Sequence, residues 1–241
     1  MARLFDDASS QYLEVASVPT ADMPLSIACW FYTDSDSALQ SLVTLADVTA
    51  SSKFYRLQAE GTVAGDPVQA VYARTSTVSA ATTSGYSTNT WHHALGTFTS
   101  VDLRTAYIDG GSKGTEATNM GVFTPTALAI GRSNDSSPDR YMSGSIAEVA
   151  IWIAVLTDDE AIILARGYSP LLVRPQSLVF YLPGIRDADQ DIVGGLSLTP
   201  VNAPTISAHP RVFYPAPLWT PIAAAGGAPP VGNPWYSYAQ M

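Results

Sequence analysis

Few residues in this chain are of types that do chemistry. There are three histidines, and two of them, His92 and His93, are adjacent and follow Trp91. Imidazoles hold transition metals or act as bases. Neighbouring residues on an extended strand point to opposite faces, however, so this pair cannot easily chelate one ion. His209 stands far along the sequence with no partner near it. The run Asp187-Ala188-Asp189-Gln190-Asp191 has the alternating carboxylates of a calcium loop. Yet Ile192 stands where the sharp turn needs glycine, and Leu198 where the last ligand should be a glutamate. No paired-carboxylate strand, nucleophile elbow, phosphate loop or zinc spacing occurs in the sequence. No catalytic residue, cofactor or metal is assigned on these grounds, and an enzyme is not expected.

Bulk properties narrow the partners. The net charge is −9, with only 12 Lys and Arg spread along the chain, which argues against nucleic acid. Hydrophobic residues make up 46% of the chain and charged ones 14%, so much of the surface is expected to meet other protein. The single cysteine, Cys29, precludes an internal disulfide and reads as a small buried hydrophobe. Met1 to Phe5 run straight into strand pattern, with neither a signal-peptide profile nor a run able to cross a bilayer. Synthesis in a cytoplasm is the expectation.

The elements that position these residues are mostly strands. Ser145 to Val155 is rich in β-branched and aromatic residues and predicts a central strand. Thr157-Asp158-Asp159-Glu160 then reads as a capping box. A helix follows to Arg166, with Gly167 as its stop. Leu25 to Tyr32 predicts a strand covered on both faces. Further strands are expected at 41–45, 54–59, 68–74, 91–97 and 105–108, and Asp109-Gly110-Gly111 is a hairpin signal. Strands recurring about every ten residues, with turns between, predict a two-sheet sandwich.

Four blocks in order carry a family resemblance. They are Pro24 to Phe31 (PLSIACWF), Trp91-His92-His93-Ala94 with Ala106-Tyr107-Ile108-Asp109-Gly110, Ala129-Ile130-Gly131-Arg132, and Gly144-Ser145-Ile146-Ala147-Glu148-Val149 with Leu156-Thr157-Asp158-Asp159-Glu160. They resemble the laminin-G-like, concanavalin A-type jelly roll over about the first two-thirds of the chain. The resemblance implies an all-β fold: a two-sheet concanavalin A-like sandwich with one short helix. It places His92, His93, Trp30, Trp91 and Trp152 structurally. It makes Glu148 an ion-pair or hydrogen-bond acceptor at a sheet margin. Tyr55, Tyr86 and Tyr141 are left freer to face solvent. It also allows calcium at the rim, with Asp6, Asp7 or Asp47 as the acidic ligand, although no motif selects one.

Beyond the helix, Leu178 to Leu182 and the segment to residue 207 are expected to join or flank the sandwich, giving a domain over 1–207. Residues 208–241 read as an extended arm. From Ile192 to Met241 the only formal charge is Arg211, and nine of the 17 prolines lie from Pro200 onward. Such a tail is unlike solvated disorder, and proline lowers the entropy lost on docking. Tyr214, Trp219, Trp235, Tyr236 and Tyr238 are its candidate partner-binding residues. The arm lies either on another molecule or around its own domain. The segments 167–183 and 208–215 also resemble the ends of laminin-G-like proteins of tailed bacteriophages. That resemblance implies a non-enzymatic virion protein: a capsid decoration (cement) protein or a head or tail fibre component. It would be made in the host cytoplasm and be homo-oligomeric, bound to the major capsid protein or to neighbouring copies. The alternative is a carbohydrate-binding, lectin-like adhesion module whose partners are surface glycans. Neither reading involves nucleic acid or a membrane.

Overall fold

The computed structural model describes residues 1–184 and 189–215. The chain begins with β1 (Ala2–Phe5), β2 (Tyr12–Val15), β3 (Leu25–Thr33), β4 (Leu39–Ala46), β5 (Phe54–Glu60), β6 (Pro67–Ala73) and β7 (Thr77–Gly85). It continues through β8 (Trp91–Ser100), β9 (Leu103–Ile108), β10 (Gly111–Glu116), β11 (Ala127–Ile130) and β12 (Gly144–Trp152). Helix α1 (Asp158–Ala165) precedes β13 (Leu178–Leu182), β14 (Thr199–Val201) and β15 (Thr205–Ser207). One sheet has the order β10-β9-β8-β3-β12-β1-β15, with β13 also on β12; the other runs β14-β2-β11-β4-β5-β6-β7. Two antiparallel sheets, one short helix and this crossed order are the jelly roll the sequence predicts.

Period-2 patterning builds the core. Leu25, Ile27, Cys29 and Phe31 of β3 face Tyr55, Leu57, Val68 and Ala70 of the opposite sheet in one apolar cluster. Burial raises the Cys29 thiol pKa, so it is an inert core side chain. A second cluster lies on the outside of the first sheet, where Leu156, Ala161 and Leu164 cover Ala28, Leu95 and Trp152. Trp152 is fully buried there and donates its indole N–H to the Val173 carbonyl at 2.9 Å.

Helix α1 has the predicted start. Glu160 N–H donates to Thr157 Oγ1, and the Glu160 carboxylate accepts from Thr157 N–H at 2.8 Å. The same carboxylate holds Arg174 at 2.8 and 2.9 Å. Gly167 has φ +86°, and a Cβ added there would lie 2.6 Å from the Arg211 carbonyl oxygen. The predicted strand to Val155 ends earlier, at Trp152, and Ile153 is exposed. The hairpin at Asp109-Gly110 has positive φ at both residues, as a two-residue turn of this sequence requires.

The late strands join both sheets. β13 pairs with β12, β14 extends the second sheet beside β2, and β15 extends the first beside β1. Strands β7 and β10, absent from the sequence expectation, pair with β6 and β9. Of the expected arm, the described part (208–215) lies on its own sandwich. Phe213 N–H donates to the Gly167 carbonyl, Ser169 N–H donates to the Phe213 carbonyl, and the Phe213 ring packs on Tyr168.

Candidate functional site

The residues singled out by type turn out to be structural. His92 and His93 do point apart. His92 Nε2 accepts from Ser87 N–H, so its proton sits on Nδ1 and is donated to Asp109 Oδ2 at 2.7 Å. Asp109 also accepts from the His93 backbone N–H. Its burial opposes ionisation, but the hydrogen bonds from His92 and His93 prevail and hold its pKa low. The His93 ring is buried edge-on against Trp30, and burial pushes its pKa down to about 4, so it stays neutral.

The acidic positions are likewise engaged. Asp189 is paired with Arg3 at 2.6 and 2.8 Å, and the Asp191 carboxylate accepts from the N–H groups of Tyr181, Val193 and Gly194. Asp187 lies outside the described residues. Asp6 accepts from Ala8 N–H and Ser9, Asp7 from Ala8 N–H, and Asp47 from Thr49 and Lys53. Among the described residues no cluster of three or more candidate ligands could hold a metal ion. Tyr55 and Tyr86, expected to be freer, are in the inter-sheet core at 1% and 5% exposure, because their β5 and loop positions face Phe98 and Phe31. Tyr141 is half-buried beside Tyr12. Trp30 and Trp91 are half-buried rather than core residues.

Glu148 is the acceptor expected of it, in a particular setting. β12 pairs with β1 through Gly144 to Ile146 and with β13 from Val149 onward, so Glu148 sits where one edge partner gives way to the other. Its φ is +56° and its carboxylate is buried. It accepts from the hydroxyls of Tyr181 (2.6 Å) and Tyr214 and faces His209 Nε2 at 3.2 Å. Burial raises the pKa of both tyrosines, and the carboxylate charge adds to it, so each hydroxyl remains a donor. Tyr214, expected to meet a partner, therefore bonds its own domain. Trp219, Trp235, Tyr236 and Tyr238 lie outside the described residues.

The arrangement that could receive a ligand is one that the motif reading did not find. A cleft of about 740 Å³ opens at the β14-β2-β11 end of the second sheet. Its walls come from Glu14 to Ala16, from Val48, from Thr126 and Ala127, from Thr199, and from the loop after β11, with Arg132, Asn134, Asp135, Ser136 and Pro138. Strand alternation sets the first wall, since Leu13 enters the core and Glu14 must then face outward. The loop is pinned by Thr44 Oγ1 donating to the Arg132 carbonyl at 3.0 Å and Ser136 N–H donating to Ala50 O at 3.2 Å. Beneath it, the buried Arg56 donates to Ser133 Oγ (3.0 Å) and to Gln58 (2.6 Å), and its guanidinium lies 4.3 Å from the Phe54 ring centroid.

Within the cleft wall, Arg132 donates to Glu14 Oε2 and Asn134 Oδ1, both at 2.7 Å, and lies 3.7 Å over the Tyr12 ring centroid. Burial pushes the Asp135 carboxyl up, against the hydrogen bond from Ser137 N–H that favours its charge. Carboxylate and hydroxyl groups thus surround small apolar patches from the exposed Val48 and Pro138. That chemistry suits a polyhydroxylated ligand with apolar C–H faces. The sequence signal, visible only afterwards, is the polar run Arg132-Ser133-Asn134-Asp135-Ser136 directly after an apolar strand. A shallower groove of about 520 Å³ lies at the start of α1, lined by Thr97, Thr99, Thr105, Lys113 and Asp158 among others.

Comparison with known proteins places the fold. No curated protein matches the chain by sequence. A putative carbohydrate binding protein from Bacteroides ovatus is similar at TM-score 0.62 and 19% identity, over 86% of this chain and 59% of that one. This chain therefore spans less than two thirds of that protein's length. A heptameric SAP-like pentraxin from Limulus polyphemus is similar at TM-score 0.54 and 12% identity, over 67% and 78% of the two chains. The CBM40 of the Ruminococcus gnavus IT-sialidase, bound to α2,3-sialyllactose, gives 0.52 and 15% over 61% and 84%. Residues 7–161 match the family described as the concanavalin A-like lectin/glucanases superfamily. This chain belongs to that superfamily.

Proposed function

We propose that this protein is a non-catalytic, lectin-like module that binds carbohydrate in the cleft between β2, β11 and the loop after β11. The observation that carries the reading is the cleft's composition: two carboxylates, a fixed guanidinium and several hydroxyls around small apolar walls. A carboxylate can engage two sugar hydroxyls, and the apolar walls accept the C–H face of the ring. Similarity in fold to proteins named for carbohydrate binding supports testing it.

The test is a glycan array with the full chain, followed by calorimetry on the hits. Ser136 is exposed at the cleft, so Ser136→Trp should fill the cleft without disturbing the core. Lost binding with an unchanged melting temperature supports the site. Binding that survives Ser136→Trp moves the site elsewhere. Bound glycan is expected to be recovered intact; its hydrolysis would revive an enzymatic reading.

A second reading is favoured by the composition of the C-terminal segment, which from Ile192 to Met241 has Arg211 as its one Lys, Arg, Asp or Glu amid nine prolines. In this reading the module is displayed on a virion as a decoration or fibre protein, and the residues after Pro215 bury apolar surface on the capsid protein or on neighbouring copies. Because 208–215 dock on their own domain, the informative truncation ends at Pro215. Light scattering should show the full chain associating, alone or on a capsid lattice, and the truncated chain remaining a folded monomer. Equal behaviour of both on the lattice would rule the anchor out.

A further inference from the structure

We propose that the cleft selects glycans free of acidic groups, neutral sugars or amino sugars, and rejects those bearing a carboxylate or sulfate. This rests on the cleft being the glycan site and adds the class of sugar it takes. Three observations carry it.

The first is the charge of the wall. Among the described residues that line the cleft Arg132 is the one cation, whereas Glu14 and Asp135 are both carboxylic acids. The second is that the cation is already committed. Its Nη2 is 2.7 Å from both Glu14 Oε2 and Asn134 Oδ1, and its plane is held against Tyr12. Of the donors left without a partner, Arg132 Nε and Asn134 Nδ2 are buried within the wall, which leaves Arg132 Nη1 as the group through which a ligand could reach the guanidinium. An incoming carboxylate would therefore meet a guanidinium whose charge Glu14 already offsets, and would do so beside a second acid, Asp135.

The third is the field beyond the cleft. The chain carries −9 overall, which disfavours an approaching anion within about a Debye length, ~8–10 Å at ordinary salt. Asp135, by contrast, is a carboxylate raised by burial with Ser137 N–H as its hydrogen-bond donor. A sugar hydroxyl or ammonium placed there would satisfy it.

The experiment uses the full chain and an array carrying matched forms of each glycan, uncharged and sialylated or sulfated, followed by calorimetry on the best pair. The uncharged form is expected to bind at least about tenfold more tightly, a difference of about 1.4 kcal/mol. Glu14→Gln removes the charge that offsets Arg132, so the acidic form should gain about tenfold relative to the uncharged form, with folding checked by the melting temperature in parallel. Wild-type preference for the acidic form, or equal affinity for both, overturns the selectivity and leaves glycan binding standing. Absence of binding to every glycan instead removes the carbohydrate reading itself, and this inference with it.

Discussion

Replacing Glu148 with alanine should destabilise the domain by about 3–5 kcal/mol, the cost of removing one partner of a buried charged pair. Glu148 is 3% exposed, and its carboxylate serves three groups drawn from separate segments: Tyr181 on β13, and His209 and Tyr214 on the strap after β15. The Tyr181 hydroxyl keeps a contact with Ser169 Oγ, so the loss falls mainly on the strap. His209 adds a pH dependence. Its Nδ1 lies 2.7 Å from the Pro210 carbonyl and its Nε2 3.0 Å from the Pro183 carbonyl. Carbonyl oxygens only accept, so both ring nitrogens must donate, and only the imidazolium can do that. Burial opposes the charge, but the Glu148 contact and the two carbonyls overcome it and raise the pKa above 6.5. A raised folded-state pKa means the stabilisation is complete below about pH 6.5 and is lost as pH rises through the folded value.

The assay is urea unfolding between about pH 6 and about pH 9, the range in which an imidazole can titrate, with limited proteolysis at 208–215 in parallel. Wild type should lose stability across this range, and His209→Asn should flatten the loss. Glu148→Gly should retain about 1 kcal/mol over Glu148→Ala, because φ +56° suits glycine and strains alanine. If Glu148→Ala stays within ~1 kcal/mol of wild type, the cost assigned here to a buried unpaired partner is refuted. A wild-type pH profile superimposable on that of His209→Asn would remove the imidazolium from the strap.

Other substitutions probe the scaffold. Thr157→Ala removes the acceptor for Glu160 N–H and should cost about 1 kcal/mol by denaturant midpoint, with glycan binding unchanged. Gly167→Ala should cost ~1–3 kcal/mol, since it forces a Cβ into the left-handed region and to 2.6 Å from the Arg211 carbonyl. Trp152→Ala empties the layer beneath α1 and orphans the Val173 carbonyl, which should cost about 3–5 kcal/mol in chemical unfolding.

Much of this protein is legible in its sequence, for a reason visible at particular residues. The capping box spans four consecutive positions, and its two reciprocal hydrogen bonds need nothing outside them. The Asp109-Gly110 turn and the Gly167 stop follow from local backbone preference, and β3 follows from period-2 burial. Those features set the sandwich and its one helix. Other features depend on contacts that local preference cannot specify. Edge strands β7 and β10 bury only alternate positions or few of them, so their patterns are weak, and they form because β6 and β9 offer unpaired edges. Tyr55 and Tyr86 enter the core because the opposite sheet supplies their aromatic neighbours. Tyr214 and His209 turn inward because a carboxylate 66 and 61 positions earlier is left open where β12 exchanges β1 for β13. The cleft itself joins residues 14, 48, 126, 134 and 199. No one segment contains that site, and only the closing of the second sheet's edge, with the Arg132 loop tied down over Arg56, brings its walls together.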